Sequence, residues 1–396
     1  MRTPIWKLAG WPRFNFKEST VSEALKQARF LQHEVIGKAA AIGLVQAGDL
    51  MSEVLIQEVM STAAIEGEAL DPVSVRSSVL RKLGLESTPL PSPGRRDVDG
   101  LVEVIHDAWT GFDRPLDEDR LCRWQSALFP GGTSGIRRIS VGEYRTHAAL
   151  MQIVSGPPGK EVIHFTAPPS TQVPQYMGQF LNWFAMTTPG NPASTMVNGI
   201  ARAAIAHLWF ETIHPFDDGN GRIGRAIVDM ALAQDLQRPT WLYSLSVEIE
   251  RRRGAYYDAL NKAQHGTLDA SEWVEWFATA FGRACQTSSH LIDKAIEKSR
   301  FWATHSQKAL NGRQRKVLQR LLDDGDGGFL GGLNAEKYIK MTSTSKPTAT
   351  RDLSEMVQLG LLKTAGQGKA LRYYICVPGW QHDIPVEKFN PSPTTG

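Results

Sequence analysis

Residues 214–225 read HPFDDGNGRIGR, and this stretch decides how the chain is read. One histidine, two adjacent carboxylates, three glycines, an asparagine and two arginines share it. Gly219, Gly221 and Gly224 spell a literal GxGxxG. In a dinucleotide-binding fold that pattern must follow a strand and precede an acidic residue about 20 positions on. The preceding segment, NGIARAAIAHLWFETI, is Ala-rich and apolar nearly all round, as a buried central helix should be. No acidic residue falls cleanly at the required distance, and no GxxxxGK[ST] is present. A metal site would recruit His207, His214 and Asp217 or Asp218. Pro215 interrupts the helix that would align them, and there is no HExxH spacing. His207 is therefore read as a core histidine.

A phosphate-handling loop accounts for all of these residue types. DGNG is turn chemistry, and its glycines let the backbone approach a ligand closely. GRIGRAIVDMALA begins a helix there, so unpaired N–H groups and the positive end of the helix dipole face the loop. Arg222 and Arg225, three apart at that helix start, can clamp phosphate oxygens. An acidic residue in the loop can hold a hard Mg²⁺ shared with phosphates. His214, just upstream, can serve as general base for an incoming hydroxyl.

Outward from the loop, helical spacing fills most of the chain. It covers residues 19–68 in two segments, then DVDGLVEVIHDAWTGF and EDRLCRWQSALF, and continues after the loop to about Phe301. Asp71-Pro72 marks a helix restart, and GLESTPLPSPGRR (84–96) reads as a linker or long loop. MQIVSGPPGKEVIHF (151–165) reads as a β-hairpin with a Gly/Pro-rich tip. The expected fold is mainly α, in three parts: an N-terminal helical region (1–95), a core (96–300) and a C-terminal domain with its tail (301–396). That last part holds 13 Lys/Arg against 8 Asp/Glu, although the whole chain carries only +3. RQRKVLQRLL, NAEKYIKM and PTATRDLSEMVQL followed by a Gly-tipped hairpin give a winged helix-turn-helix layout. Ser345, Lys346, Thr348, Thr350 and Arg351 lie at the front of its second short helix, and Lys363, Lys369 and Arg372 on the wing. DNA and protein both remain open as its partner.

Three dispersed cysteines exclude a disulfide framework and a zinc ribbon. No apolar run approaches the ~18 residues that span a bilayer, and MRTPIWKLAGWPRF lacks the core of a secretory signal. The expectation is a cytoplasmic protein with no membrane partner.

HPFDDGNGR closely resembles the HxFx(D/E)GNGR signature of the Fic family, whose members transfer AMP from ATP to hydroxyl side chains of target proteins. Every fixed position is filled, and the resemblance spans roughly residues 100–300. WPRFNF (11–16) is also similar to the segment before the core in one bacterial subfamily. The resemblance implies a Fic-type helical core with a β-hairpin flap. It makes His214 the general base, Asp218 the ligand of Mg²⁺ bridging the ATP phosphates, and Phe216 a packing anchor. It places Gly219, Asn220 and Gly221 around the phosphates, with the Asn220 side chain assisting. Arg222, Ile223, Gly224 and Arg225 complete that phosphate site, Arg225 reaching the γ-phosphate. Tyr256, Tyr257 and Asn261 fall where the family builds its adenosine pocket.

The hairpin matches the flap that holds target segments by strand-like pairing, and GEYR (142–145) before it also resembles the family. TAAIEG (62–67) matches the family's inhibitory pattern (S/T)xxxE(G/N). Thr62, Glu66 and Gly67 would then be regulatory, with Glu66 pairing Arg225 so that ATP is misplaced. The activity implied is a protein adenylyltransferase restrained by Glu66, acting on Ser, Thr or Tyr of targets or of itself, with removal of AMP open. A homodimer through the C-terminal domain is a further implied partner. The competing reading is a DNA-binding regulator whose core senses nucleotide.

Overall fold

The computed structural model describes residues 3–40, 44–85, 95–155, 162–191, 198–239, 241–324, 331–378 and 380. After a short 3-10 turn at Ile5–Lys7 come two long helices, α1 (Glu18–Ala40) and α2 (Leu44–Ile65), then α3 (Pro72–Lys82). Asp71 caps α3 by accepting the Ser74 N–H, as the Asp-Pro restart requires. α4 (Arg96–Thr110) and α5 (Glu118–Leu128) follow, crossing closely enough at Gly100 that a Cβ there would overlap the Ala127 carbonyl. A small hairpin, β1 (Thr133–Ser134) and β2 (Arg137–Arg138), was not expected from the sequence. The expected hairpin forms as β3 (Gln152–Ser155) paired antiparallel with β4 (Val162–Thr166). Its tip lies outside the described residues, as do most of the linker at 86–94 and the tail beyond Trp380.

α6 (Val173–Met186) and α8 (Asn220–Leu236) pack on α7 (Gly199–Ile213), the central helix expected from its composition. All fifteen residues of α7 are buried. Asn198 starts it by accepting the N–H groups of Ile200 and Ala201, and His214 ends it at φ 52°. Pro215 then prevents continuation. α9 (Leu245–Arg251), α10 (Arg253–Gln264) and α11 (Ser271–Thr304) complete this region. Trp273 on α11 anchors α7 through the Ala204 carbonyl at 2.7 Å.

The structure has two compact units, residues 1–289 and 290–396, where composition suggested three parts. The N-terminal helices do not stand apart, because α2 packs on α4, α8 and α9. The second boundary falls eleven residues earlier than expected, within α11 rather than at residue 300.

The second unit contains α12 (Gly312–Asp324), α13 (Ala335–Thr342), α14 (Lys346–Gln358) and the antiparallel pair β5 (Leu362–Ala365) and β6 (Arg372–Ile375). This is the helix and hairpin order read from the sequence. Leu333 adds a bridge to Tyr373. Val317, Leu318, Tyr338, Leu353, Met356 and Ile375 form its apolar centre. A buried carboxylate, Asp352, ties three elements together by accepting from Arg313 (2.9 Å), Asn311 (3.4 Å) and the Tyr338 hydroxyl (2.9 Å). Burial opposes its charge, but these donors hold the carboxyl below its ordinary range. The stabilisation is therefore present above a pH of about 4 and is lost as pH falls through the lower folded value. Asp352→Ala should cost about 1–3 kcal/mol by stranding the buried Tyr338 hydroxyl and releasing Arg313 and Asn311. Hydrogen exchange in α12 and α14 of the full chain should rise at neutral pH, while wild type shows the same rise only on acidification.

Candidate functional site

The site begins where α7 stops. His214 adopts a left-handed conformation that a non-glycine residue takes at a cost. Arg145 holds it there. Its guanidinium donates to the carbonyls of His214 (2.8 Å), Pro168 (2.6 Å) and Ile213 (3.3 Å), and its N–H to Pro215 O (2.9 Å). Burial pushes the Arg145 pKa down to about 10, so it remains charged at neutral pH. Phe216 is fully buried against Tyr144, with ring centroids 5.5 Å apart, as a loop anchor should be.

The loop closes on itself. The Asn220 side chain accepts the Phe216 N–H at 2.9 Å and donates to the Phe216 carbonyl at 2.8 Å. That amide shapes the turn and is occupied there, whereas the sequence reading had it assist the phosphates directly. Asp217 is turned inward, accepting the Ser140 N–H at 3.0 Å with His147 Nε2 at 3.2 Å. Asp218 points the other way and its side chain is 40% exposed. Its oxygens take the Gly219 N–H (2.6 Å) and the Ser134 hydroxyl of the unexpected β1–β2 hairpin.

α8 starts at Asn220 after Gly219 at φ 88°, and no side chain caps this end. The N–H groups of its first turn are therefore available to an anion. Two glycines have steric duties here. A Cβ on Gly224 would overlap Glu211 Oε1, so the glycine lets α8 lie close on α7. A Cβ on Gly221 would overlap Glu66 Oε1. The carboxylate of Glu66 thus occupies the space that opens at the start of α8.

Both arginines are engaged by the turn after α2. Arg225 is almost wholly buried and donates to Thr62 Oγ1 (2.6 Å), Thr62 O (3.0 Å) and Glu66 Oε1 (2.7 Å). Burial opposes its charge, but Glu66 and its other neighbours raise the pKa above the ordinary arginine value. Arg222 stacks on Phe129 at 4.9 Å and donates to Glu68 at 3.1 Å, with Asp218 Oδ1 3.9 Å away. Glu66 lies one residue past the helix rather than on its face beside Thr62. Gly67, at φ 82°, donates to the Ala64 carbonyl and Glu68 N–H to the Ala63 carbonyl. This 6→1, 5→2 pairing is a Schellman cap, which needs a glycine or asparagine at position 67 and turns Glu66 and Glu68 toward the arginines.

The expected aromatic residues separate. Tyr256 is buried, bonded to His207 Nε2 at 2.9 Å, and belongs to the core. Tyr257 is 38% exposed and donates to the Ile65 carbonyl at 3.4 Å, beside the α2 turn. Asn261, one turn further along α10, is half-buried and accepts from His265 through its backbone carbonyl. Ile223 is fully buried under the start of α8, away from solvent.

Sequence reasoning missed Glu68, Ser134, Phe129 and Glu211 as neighbours of this site. It noted Arg145 only as part of GEYR. Among the described residues, no group of three or more His, Cys, Asp or Glu could hold a metal ion. Asp218 alone, a partly exposed oxygen donor beside the loop, suits Mg²⁺ that takes its other ligands from phosphate oxygens and water. Arg145→Ala should lower stability by about 2–4 kcal/mol, since three carbonyls lose a charged donor. Urea unfolding of the full chain measures this, and a loss below about 0.5 kcal/mol would remove Arg145 from the account.

A Fic/DOC family model matches residues 115–232, and a domain of unknown function, DUF4172, matches residues 5–85. A probable protein adenylyltransferase of Aquifex aeolicus is 30% identical over 104 residues, 26% of this chain and 28% of that protein. A protein adenylyltransferase of Caenorhabditis briggsae is 33% identical over 105 residues, 26% of this chain and 18% of that protein. This chain thus spans less than a third of the length of either relative. The crystal structure of a Fic family protein from Desulfovibrio desulfuricans has a TM-score of 0.50 at 20% identity, over 90% of this chain and 97% of that one. The likeness extends the fold well beyond the loop, and with the signature complete at residues 214–222, residues 115–232 form a Fic/DOC family domain.

Proposed function

We propose that the chain is a protein adenylyltransferase that moves AMP from ATP to a Ser, Thr or Tyr hydroxyl, restrained by its own Glu66. The observation that carries this reading is the position of the Glu66 carboxylate. It lies against Gly221 at the uncapped start of α8 and 2.7 Å from buried Arg225. A carboxylate there occupies the place that physical chemistry reserves for a phosphate. The similarity to two proteins named adenylyltransferases supports the same chemistry.

In this reading the N–H groups of Asn220 and Gly221 cradle phosphate oxygens, and Arg222 and Arg225 neutralise their charge. Asp218 would hold Mg²⁺, which when bound offsets charge on the ATP phosphates. His214 Nε2 takes the proton of the target hydroxyl, whose oxygen bonds the α-phosphorus as its bond to pyrophosphate breaks. The β3–β4 hairpin pairs with the target segment, its Val154 and Ile163 exposed for the purpose. Tyr257 flanks the nucleotide. While Glu66 holds Arg225, the γ-phosphate lacks its partner and the α-phosphorus is off line. In this reading the same carboxylate would also orient water for removal of AMP.

A second reading draws on the second unit. Ser345, Lys346, Thr350 and Arg351 are exposed at the front of α14, as a DNA-reading helix of a winged helix would present them. Labelled ATP with Mg²⁺ separates the two. Wild type should label itself weakly, and Glu66→Gly should increase labelling about 10- to 100-fold, the value of one charge-assisted hydrogen bond. His214→Ala should lower the rate by about 10²–10⁴. No label in any variant, together with salt-sensitive DNA binding, would favour the regulator instead. The adduct mass from a nucleotide mixture identifies the donor.

A further inference from the structure

Behind His214, the interface of α7 and α8 buries three polar atoms without a hydrogen-bond partner: His207 Nδ1, Glu211 Oε1 and His214 Nδ1. Glu211 precedes His214 by three residues, and its Oε2 is 3.7 Å from His214 Nδ1. That is outside hydrogen-bond range but within ion-pair range, and contacts of this kind tighten when a reacting complex forms. A lone carboxylate so deeply buried costs several kcal/mol, so it needs donors.

The groups that face it are few. They are His207 on α7, His214 just past its end, and on α8 Arg225, whose guanidinium bonds Thr62 and Glu66. On α10, Tyr256 lies 2.9 Å from His207 Nε2. If Tyr256 donates to His207 Nε2, the proton of His207 sits on Nδ1, beside Glu211. The two carboxylate oxygens can then receive His207 Nδ1–H and His214 Nδ1–H. Gly224 keeps this space open, since a Cβ there would overlap Glu211 Oε1 and lie 3.2 Å from His207 Nδ1.

We infer that Glu211 is the positioning residue for His214: it accepts the Nδ1–H, so the Nε2 lone pair faces the incoming hydroxyl. The inference rests on the reading of His214 as general base. During transfer the hydroxyl proton moves to Nε2 while Nδ1 keeps its own. Glu211 remains a carboxylate that balances the imidazolium, and no further co-reactant is needed. His207, kept neutral by burial, serves as a spacer rather than a second base.

The test has two arms on the full chain. Long-range proton–nitrogen NMR with labelled histidine reads the His214 tautomer directly in wild type, without any need for turnover. Neutral His214 should carry its proton on Nδ1, and Glu211→Gln should shift the population toward Nε2–H. In the Glu66→Gly background, Glu211→Gln should lower kcat by about 10²–10⁴, as wrong-tautomer substitutions do. KM and ATP affinity should stay within about twofold, and Glu211→Asp should restore part of kcat. A wild-type His214 protonated on Nε2, or a Glu211→Gln variant with unchanged tautomer and kcat, would overturn the inference. Absence of transfer in every background would sink the adenylyltransferase reading instead, and the wild-type tautomer would still decide the role of Glu211.

Discussion

The arrangement depends on one buried cation. Arg225 is held by the Thr62 hydroxyl, the Thr62 carbonyl and the Glu66 carboxylate. A guanidinium removed from water must keep every donor engaged and its charge balanced, or it costs several kcal/mol. The α2 turn meets that requirement in this structure. In the proposed reading a triphosphate competes with that turn for the same guanidinium. The N-terminal helices and the loop lie in one unit, where α2 packs on α4, α8 and α9 and the turn after it supplies the counter-charge to α8. Glu68 extends the same contact to Arg222, so one Schellman turn addresses both arginines.

The loop itself is rigid for reasons that precede any ligand. His214 is fixed in a left-handed conformation by Arg145, which bonds its carbonyl and that of Ile213, while Pro215 stops the helix from running on. Asn220 closes the turn onto Phe216, and Phe216 is buried against Tyr144. Such fixing of the groups around a reacting centre is what lowers the cost of orienting substrate. Among the loop's charged groups Asp218 is partly exposed, while the start of α8 is covered by the Glu66 carboxylate.

Much of this was legible in the sequence, and the limits have physical causes. The helix before the loop announced itself by composition, because a helix buried on every side has no polar face to display. The loop and the helix start after it were readable because glycine and asparagine mark a turn and a helical pattern follows at once. What escaped was contact across distant segments. Glu68 carries no local signal, since its partner lies 154 positions away and only the cap at Gly67 aims it. Ser134 was hidden in strands of two residues, too short for an alternating pattern. The Asn220 side chain was read as facing phosphate because sequence cannot show that the Phe216 backbone takes it first. The division at residue 95 rests on linker composition, which says nothing of what the helices on either side pack against, and both sides lie in one compact unit.

The central claim is that Glu66 and the γ-phosphate compete for Arg225. Calorimetric titration of wild type and Glu66→Gly with ATP and with ADP, each with Mg²⁺, tests it most directly. The account predicts that Glu66→Gly gains about 10- to 100-fold in affinity for ATP and much less for ADP, which lacks the competing group. An equal gain for both nucleotides, or no gain for ATP, would contradict it.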